Sequence, residues 1–352
     1  MAIKKEGGIY INRSETLKIT GTHLLPAISK LYGLDGYELN AINAHEGGRN
    51  LVYDCVKAGA EAKILRITFW RDRSREDLLA ETEYIRYLHT KGGSVANVID
   101  SLHGNLFEEI AHDGHTYFAT LFEKAKGSRL PDNNYRYRDG APITEYWYNC
   151  GKTLGKLHQL SKEYTPIYKR FSFFDKFNAA YVDKLIPDSL PLLKNKMFDL
   201  YKNLEGLDKS RENFGMVHFD FNDGNYSIDY DTGQITVYDF DESCNCWYLF
   251  DLTSLWDNGT GWISHEKSVA KRRKFMEDYF KIVLDGYRSE TAVADYMLDM
   301  LPFFHQVQLM GGIIDMYEHT RNTGETVHAE WTSDAIKCLE EDILYNGFFQ
   351  ES

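Results

Sequence analysis

The sequence predicts an α+β chain of two lobes, the first an antiparallel sheet with a helix and the second larger and mostly helical. Three observations predict it. Between residues 37 and 122, β-branched and aromatic runs alternate with glycine-containing turns. From residue 145 onward, long segments carry apolar side chains at helical spacing. The 352 residues, 43% hydrophobic and 14% aromatic, exceed the usual size of one core and can fill two. The boundary is expected near residues 127–134, which separates an N-terminal lobe of residues 1–127 from a C-terminal lobe of 128–352.

The first lobe is read in order. Residues 37–44 and 51–56 form strands joined by His45-Glu46-Gly47-Gly48-Arg49-Asn50, where two glycines let backbone amides approach a phosphate without a Cβ in the way. After a turn at Ala58-Gly59-Ala60, residues 62–69 form a third strand that carries Arg66. Lys63, an odd number of residues away, points to the opposite face. A helix starts at Ser74, with Asp77 completing a capping box, and stops at Gly92-Gly93; Leu78, Ile85 and Leu88 share one side of it. Residues 105–111 and 115–122 make a hairpin about Asp113-Gly114 and lead into Phe122-Glu123-Lys124-Ala125-Lys126-Gly127.

In the second lobe, residues 145–160 read as helix, so Gly151-Lys152-Thr153 only imitates a P-loop. Residues 226–230 and 235–238 alternate about Asp231-Thr232-Gly233 and form a hairpin. Helices follow at 264–287, 292–301 and 303–320.

The chemistry is concentrated around that hairpin. His218-Phe219-Asp220, then Asn225, then Asp239 fourteen residues later, follow the order His-x-Asp, Asn, Asp. In phosphoryl transfer one carboxylate orients the acceptor hydroxyl, and an amide and a second carboxylate hold a divalent cation on the nucleotide phosphates. Asp220 is the candidate base, and Asn225 and Asp239 are the candidate metal ligands. An out-and-back hairpin between them returns Asp239 towards Asn225.

This pattern resembles the catalytic motif of the aminoglycoside phosphotransferase and choline kinase family, the protein-kinase-like small-molecule kinases. Phe219 stands where that family commonly has Gly. The resemblance implies a bilobal protein-kinase-like fold that uses ATP and Mg2+. Gly47, Gly48 and Asn50 then belong to the nucleotide-covering loop, with Asn50-Leu51-Val52-Tyr53 similar to the family's Asn-x-Val-Tyr. Arg66 takes the place of the phosphate-binding Lys, and Glu81, with Glu83 as its rival, is its carboxylate partner. The segment with Glu123 is the hinge whose backbone bonds adenine. Asp251 braces the catalytic loop, His218 orients its backbone, and Trp256, Trp262, His305, Asp315 and Glu318 are candidates for the acceptor pocket.

Charge and spacing narrow the acceptor. Residues 214–352 hold 25 acidic against 9 basic side chains, a balance of −16, which leaves the first 213 residues at +3 within the overall −13. Such a lobe attracts a cationic small molecule and repels nucleic acid. Only twelve residues separate Asp239 from Asp251, too few for the activation segment of a protein kinase. A small hydroxyl compound is therefore expected. A serine/threonine protein kinase, a non-catalytic nucleotide-binding protein and a two-metal phosphoesterase are the alternatives. Five scattered cysteines read as buried small side chains, with Cys244 and Cys246 lacking a zinc-site partner. No run of 18 apolar residues and no signal-peptide pattern at Met1 to Glu6 are present, so no membrane association and a cytoplasmic location are expected.

Overall fold

Alternating burial along the strand Asn50–Val56 turns one side of it to the core. The computed structural model describes residues 4–5, 8–9, 17–42, 50–68 and 73–349. They divide into two compact units. One comprises Met1–Gly127, Thr165–Arg170 and Thr236–Asp241; the other comprises Ser128–Tyr164, Phe171–Ile235 and Glu242–Ser352.

In the first unit, helix α1 (Leu25–Tyr32) ends on Gly33, whose φ of 62° suits a residue without Cβ. Strands β1 (Glu38–Ala41), β2 (Asn50–Val56) and β3 (Lys63–Thr68) follow. Helix α2 (Arg75–Thr90) and strands β4 (Val98–Ile99), β5 (Glu108–His112) and β6 (His115–Glu123) complete the unit. The sheet order is β1-β2-β3-β6-β4, with β5 also on β6. Every pairing is antiparallel. Leu51, Tyr53 and Cys55 on β2 alternate inward and meet Leu65 and Ile67 of β3 together with Leu24 and Ile28. The β1–β2 loop, with Gly47 and Gly48, lies outside the described residues.

The expected capping box is present: the Ser74 amide donates to Asp77 at 2.9 Å and the Asp77 amide donates to Ser74 Oγ at 3.1 Å. It starts α2 in the register that turns Leu78, Glu81, Ile85 and Leu88 inward.

In the second unit, α3 (Ile143–Glu163), α4 (Ala179–Leu185) and α5 (Pro191–Glu205) precede strand β7 (Phe214–Val217). After β8 (Tyr226–Ile228), and after β9 (Ile235–Val237), whose last two residues belong to the first unit, β10 (Cys244–Trp247) pairs antiparallel with β7. Helices α6 (Tyr248–Ile263), α7 (Val269–Arg288), α8 (Leu301–Thr323) and α9 (Ala329–Glu340) finish the chain. The turn after β8 is closed by the Asp229 amide donating to the Gln234 carbonyl at 2.9 Å.

Gly151 has a packing role. A Cβ there would lie 1.9 Å from the Val283 carbonyl oxygen, and one on Gly286 would lie 2.0 Å from that of Tyr148. The helices α3 and α7 therefore cross backbone to backbone. All five cysteines are buried and free. Among the described residues, no helix is long and apolar enough to cross a membrane.

Candidate active site

The catalytic-loop residues are set by a buried carboxylate. β7 delivers the chain into His218, and Asp251 in the first turn of α6 accepts the His218 amide on one oxygen and the Phe219 amide on the other, both at 2.8 Å. Asp251 is fully buried, so each of these charge-assisted bonds replaces lost hydration. The His158 Nε2 lies 3.2 Å from the same carboxylate, and its Nδ1 lies 2.9 Å from the Tyr287 hydroxyl. Burial holds the His158 pKa below its ordinary value, so the ring is neutral near pH 7. His158 lies 93 residues from Asp251, and no local signal points to it.

Phe219 adopts a φ of 71°, the left-handed region that favours glycine. Its ring is held in return, stacked on Phe250 at 4.3 Å between centroids and 3° between planes, with Phe177 at 6.0 Å. The next residue, Asp220, is exposed. Asn222 Nδ2 donates to its Oδ1 at 2.7 Å and Asn225 Nδ2 donates to its Oδ2 at 2.8 Å. Because a carboxylate only accepts, the Asn225 amide nitrogen must face Asp220, and its carbonyl oxygen turns away as a hard ligand atom. Asn222, missed at the sequence level, orients the Asp220 carboxylate.

In the first unit, Arg66 and Glu81 form a buried bidentate pair, Nη1 to Oε1 at 2.7 Å and Nη2 to Oε2 at 3.0 Å. Burial disfavours the Arg66 charge, but Glu81 first, then Asp241 and Asp239, raise its pKa above the ordinary value. The Phe122 ring lies 5.1 Å below the guanidinium. Lys63 sits instead over the Tyr37 ring, at 5.3 Å. Arg66 Nε is buried with no hydrogen-bond partner among the described residues. Glu81 thus occupies only one edge of the planar fork, an arrangement that a lysine ammonium cannot make.

Asp239, exposed, has a φ of 64°, and the buried Phe240 ring meets Tyr84 edge-on at 6.1 Å. The Val237 amide donates to Ser94 at 3.0 Å, and Val237 accepts from the Ala96 amide at 2.9 Å. Glu123 is exposed and its amide donates to the Asn97 carbonyl at 2.9 Å, so any main-chain donor for an adenine lies further along the segment. Asn50 Nδ2 donates to Asp241 and its Oδ1 accepts from Thr68.

One unit thus carries an exposed carboxylate on a braced loop and the other a buried ion pair on an antiparallel sheet, and the fold is protein-kinase-like. A solved amicoumacin kinase in complex with AMP-PNP, Ca2+ and Ami superposes with a TM-score of 0.78, covering 94% of this chain and 96% of that one at 23% identity. A microcompartment-associated aminopropanol kinase gives 0.65, covering 89% and 92% at 21% identity. In sequence, the amicoumacin kinase of Bacillus subtilis (strain 168) is 27% identical over 281 residues, 78% of this chain and 79% of that protein. A family model described as the phosphotransferase enzyme family matches residues 41–290, and the chain belongs to that family. It is a small-molecule kinase whose acceptor is an alcohol group.

Proposed function

We propose that the protein transfers the γ-phosphate of ATP to a hydroxyl of a small amine-bearing molecule. The observation that carries the reading is Asp220, exposed on a braced loop with both oxygens oriented by amides. Asp220 accepts the acceptor's hydroxyl proton late in a loose transition state. Arg66 presents Nε to phosphate oxygens. Asn225 Oδ1 and Asp239 would hold Mg2+, which would supply positive charge to the phosphates; one amide oxygen and one carboxylate are hard donors that suit that ion. Asp251 and His158 keep the loop's backbone in place. A protein-kinase reading lacks room, because β10 and α6 take up residues 244–263 directly after the metal segment.

The amine is supported by Asp257 on α6. Its side chain is 36% accessible, yet burial pushes its carboxyl up to about 7. The Gln308 amide, turned to donate to Asp257 Oδ2 at 2.8 Å, offsets part of that burial, and a reachable carboxylate of this kind gains further from an ammonium partner. His305 Nδ1 is 3.6 Å from Asp257 Oδ1, too far for a hydrogen bond, and neither atom has another partner among the described residues. Trp256 packs against His305, and Trp262 meets the exposed Tyr135 at 5.9 Å. Glu318 is taken up by the Tyr181 hydroxyl.

Substrate-dependent ADP release across amino alcohols and amino sugars tests the function. Release with at least one of them is expected; no detectable binding of ATP or GTP at millimolar concentration would sink the reading. With such an acceptor, kcat/KM should rise with pH through about 7 as Asp257 loses its proton. The titratable neighbours do not compete: burial pushes His305 down to about 4 and raises Tyr279 and Tyr345. Asp257→Asn should raise the acceptor KM and flatten the profile near pH 7; an unchanged profile removes Asp257 from the acceptor site.

A further inference from the structure

Asn50 opens β2, and its partner across the ladder is Thr68, the last residue of β3. Asn50 Nδ2 donates to Asp241 Oδ2 at 3.1 Å, and Thr68 Oγ1 donates to Asn50 Oδ1 at 2.8 Å. The assignment is forced by chemistry. A carboxylate cannot donate, so the amide nitrogen faces Asp241, its oxygen faces Thr68, and the hydroxyl supplies the proton there. Arg66 and Thr68, two residues apart on β3, share this face of the sheet.

The same three-residue segment, Asp239-Phe240-Asp241, is gripped at other points. The Asp241 carbonyl accepts from Arg73 Nη2 at 3.2 Å and from Arg170 Nη2 at 2.5 Å. Arg170, only 3% exposed, uses its other terminal nitrogen on the Asp77 carbonyl at 2.7 Å. These anchors lie directly after Asp239, whose backbone is left-handed at a φ of 64°. A strained residue of this kind persists only where its surroundings over-determine it.

We propose that Asn50 is a positioning residue for the metal-binding segment, and that Asp241 is the handle it holds and not a ligand of the ion. The proposal rests on reading Asp239 as a ligand. It also gives Asn50 a different job from the nucleotide contact that its place after the Gly-Gly loop suggests.

An exchange of the two groups tests it. Asn50→Asp sets two carboxylates against each other, Asp241→Leu leaves the Asn50 amide without its acceptor, and the double exchange of Asn50→Asp with Asp241→Asn restores one hydrogen bond with donor and acceptor reversed and the charge conserved. Calorimetric binding of AMP-PNP is compared with Mg2+ and with EDTA. Each single variant should lose about tenfold to a hundredfold of the enhancement that Mg2+ confers, the usual effect of removing a group that orients a metal ligand. The double exchange should recover it to within about threefold. If Asp241 binds the ion, Asp241→Asn loses the enhancement and the exchange does not return it. If Asn50 contacts the nucleotide, Asn50→Ala weakens AMP-PNP in EDTA as much as with Mg2+. Either result overturns the proposal. Asp239→Ala separates the two levels: with the enhancement intact in that variant the metal assignment fails, and with it lost but the exchange unrecovered only the role of Asn50 fails. Thermal unfolding without metal establishes that each variant is folded, and Asn50→Ser, too short to reach Asp241, takes the place of Asn50→Asp if that chain does not fold.

Discussion

Asp220→Asn is expected to lower turnover by about 10² to 10⁴, with the lower half of that range favoured because the hydroxyl proton leaves late in a loose transition state. The variant loses more than a proton acceptor. In the wild type both carboxylate oxygens take amide protons from Asn222 and Asn225. An amide at position 220 has one oxygen, so one of those donors faces another donor and the arrangement turns. Nucleotide affinity should change by on the order of 1 kcal/mol or less, since the group addresses the acceptor. Steady-state rates with an identified acceptor, set beside calorimetric ATP binding, give the comparison. Near-normal turnover would remove Asp220 as the base and direct attention to Asp223 or Asp241.

Glu81→Ala should be the most damaging single change to the first unit, at about 3–5 kcal/mol, because it leaves a guanidinium buried without its partner. Arg66 is 5% exposed and Glu81 2%, so water cannot replace the lost carboxylate. The double variant Arg66→Met with Glu81→Leu removes both charges and fills similar volume. It should recover most of the stability, as buried ion pairs replaced by apolar side chains commonly do. It should not recover nucleotide binding, because no cation remains for the phosphates. Denaturant midpoints and calorimetry on the same samples separate the two effects. A loss below about 1 kcal/mol in Glu81→Ala would mean that the site admits water or that another carboxylate swings in.

What was legible in the sequence is what is local. The Ser74 and Asp77 capping box, the Asp113-Gly114 turn and the alternation along β2 each involve residues a few positions apart, and each is read directly from spacing. The Arg66 side of β3 follows from the two-residue period alone. The features that escaped are contacts between distant segments. Asn50 and Asp241 are 191 residues apart, and only folding decides which of several acceptors an amide will meet. Asn222 is the contrary case, since Asn two residues after an Asp is a recognisable local hydrogen-bonding pattern. The helix Ala329–Glu340 also escaped, its apolar positions too few to stand out, though Cys338 and Leu339 are buried in it.

Phe219 carries a consequence for how the loop meets its substrate. A glycine there would sample both halves of backbone space whenever the pocket is empty, and binding would have to collect it into one state. A phenylalanine has far fewer backbone states to lose, and its ring is clamped against Phe250. The ordering cost is met once, during folding, and is not met again at each turnover. The catalytic loop of this chain is therefore already in its working shape before an acceptor arrives, and a pattern search insisting on glycine would pass over a loop that is stiffer for lacking it.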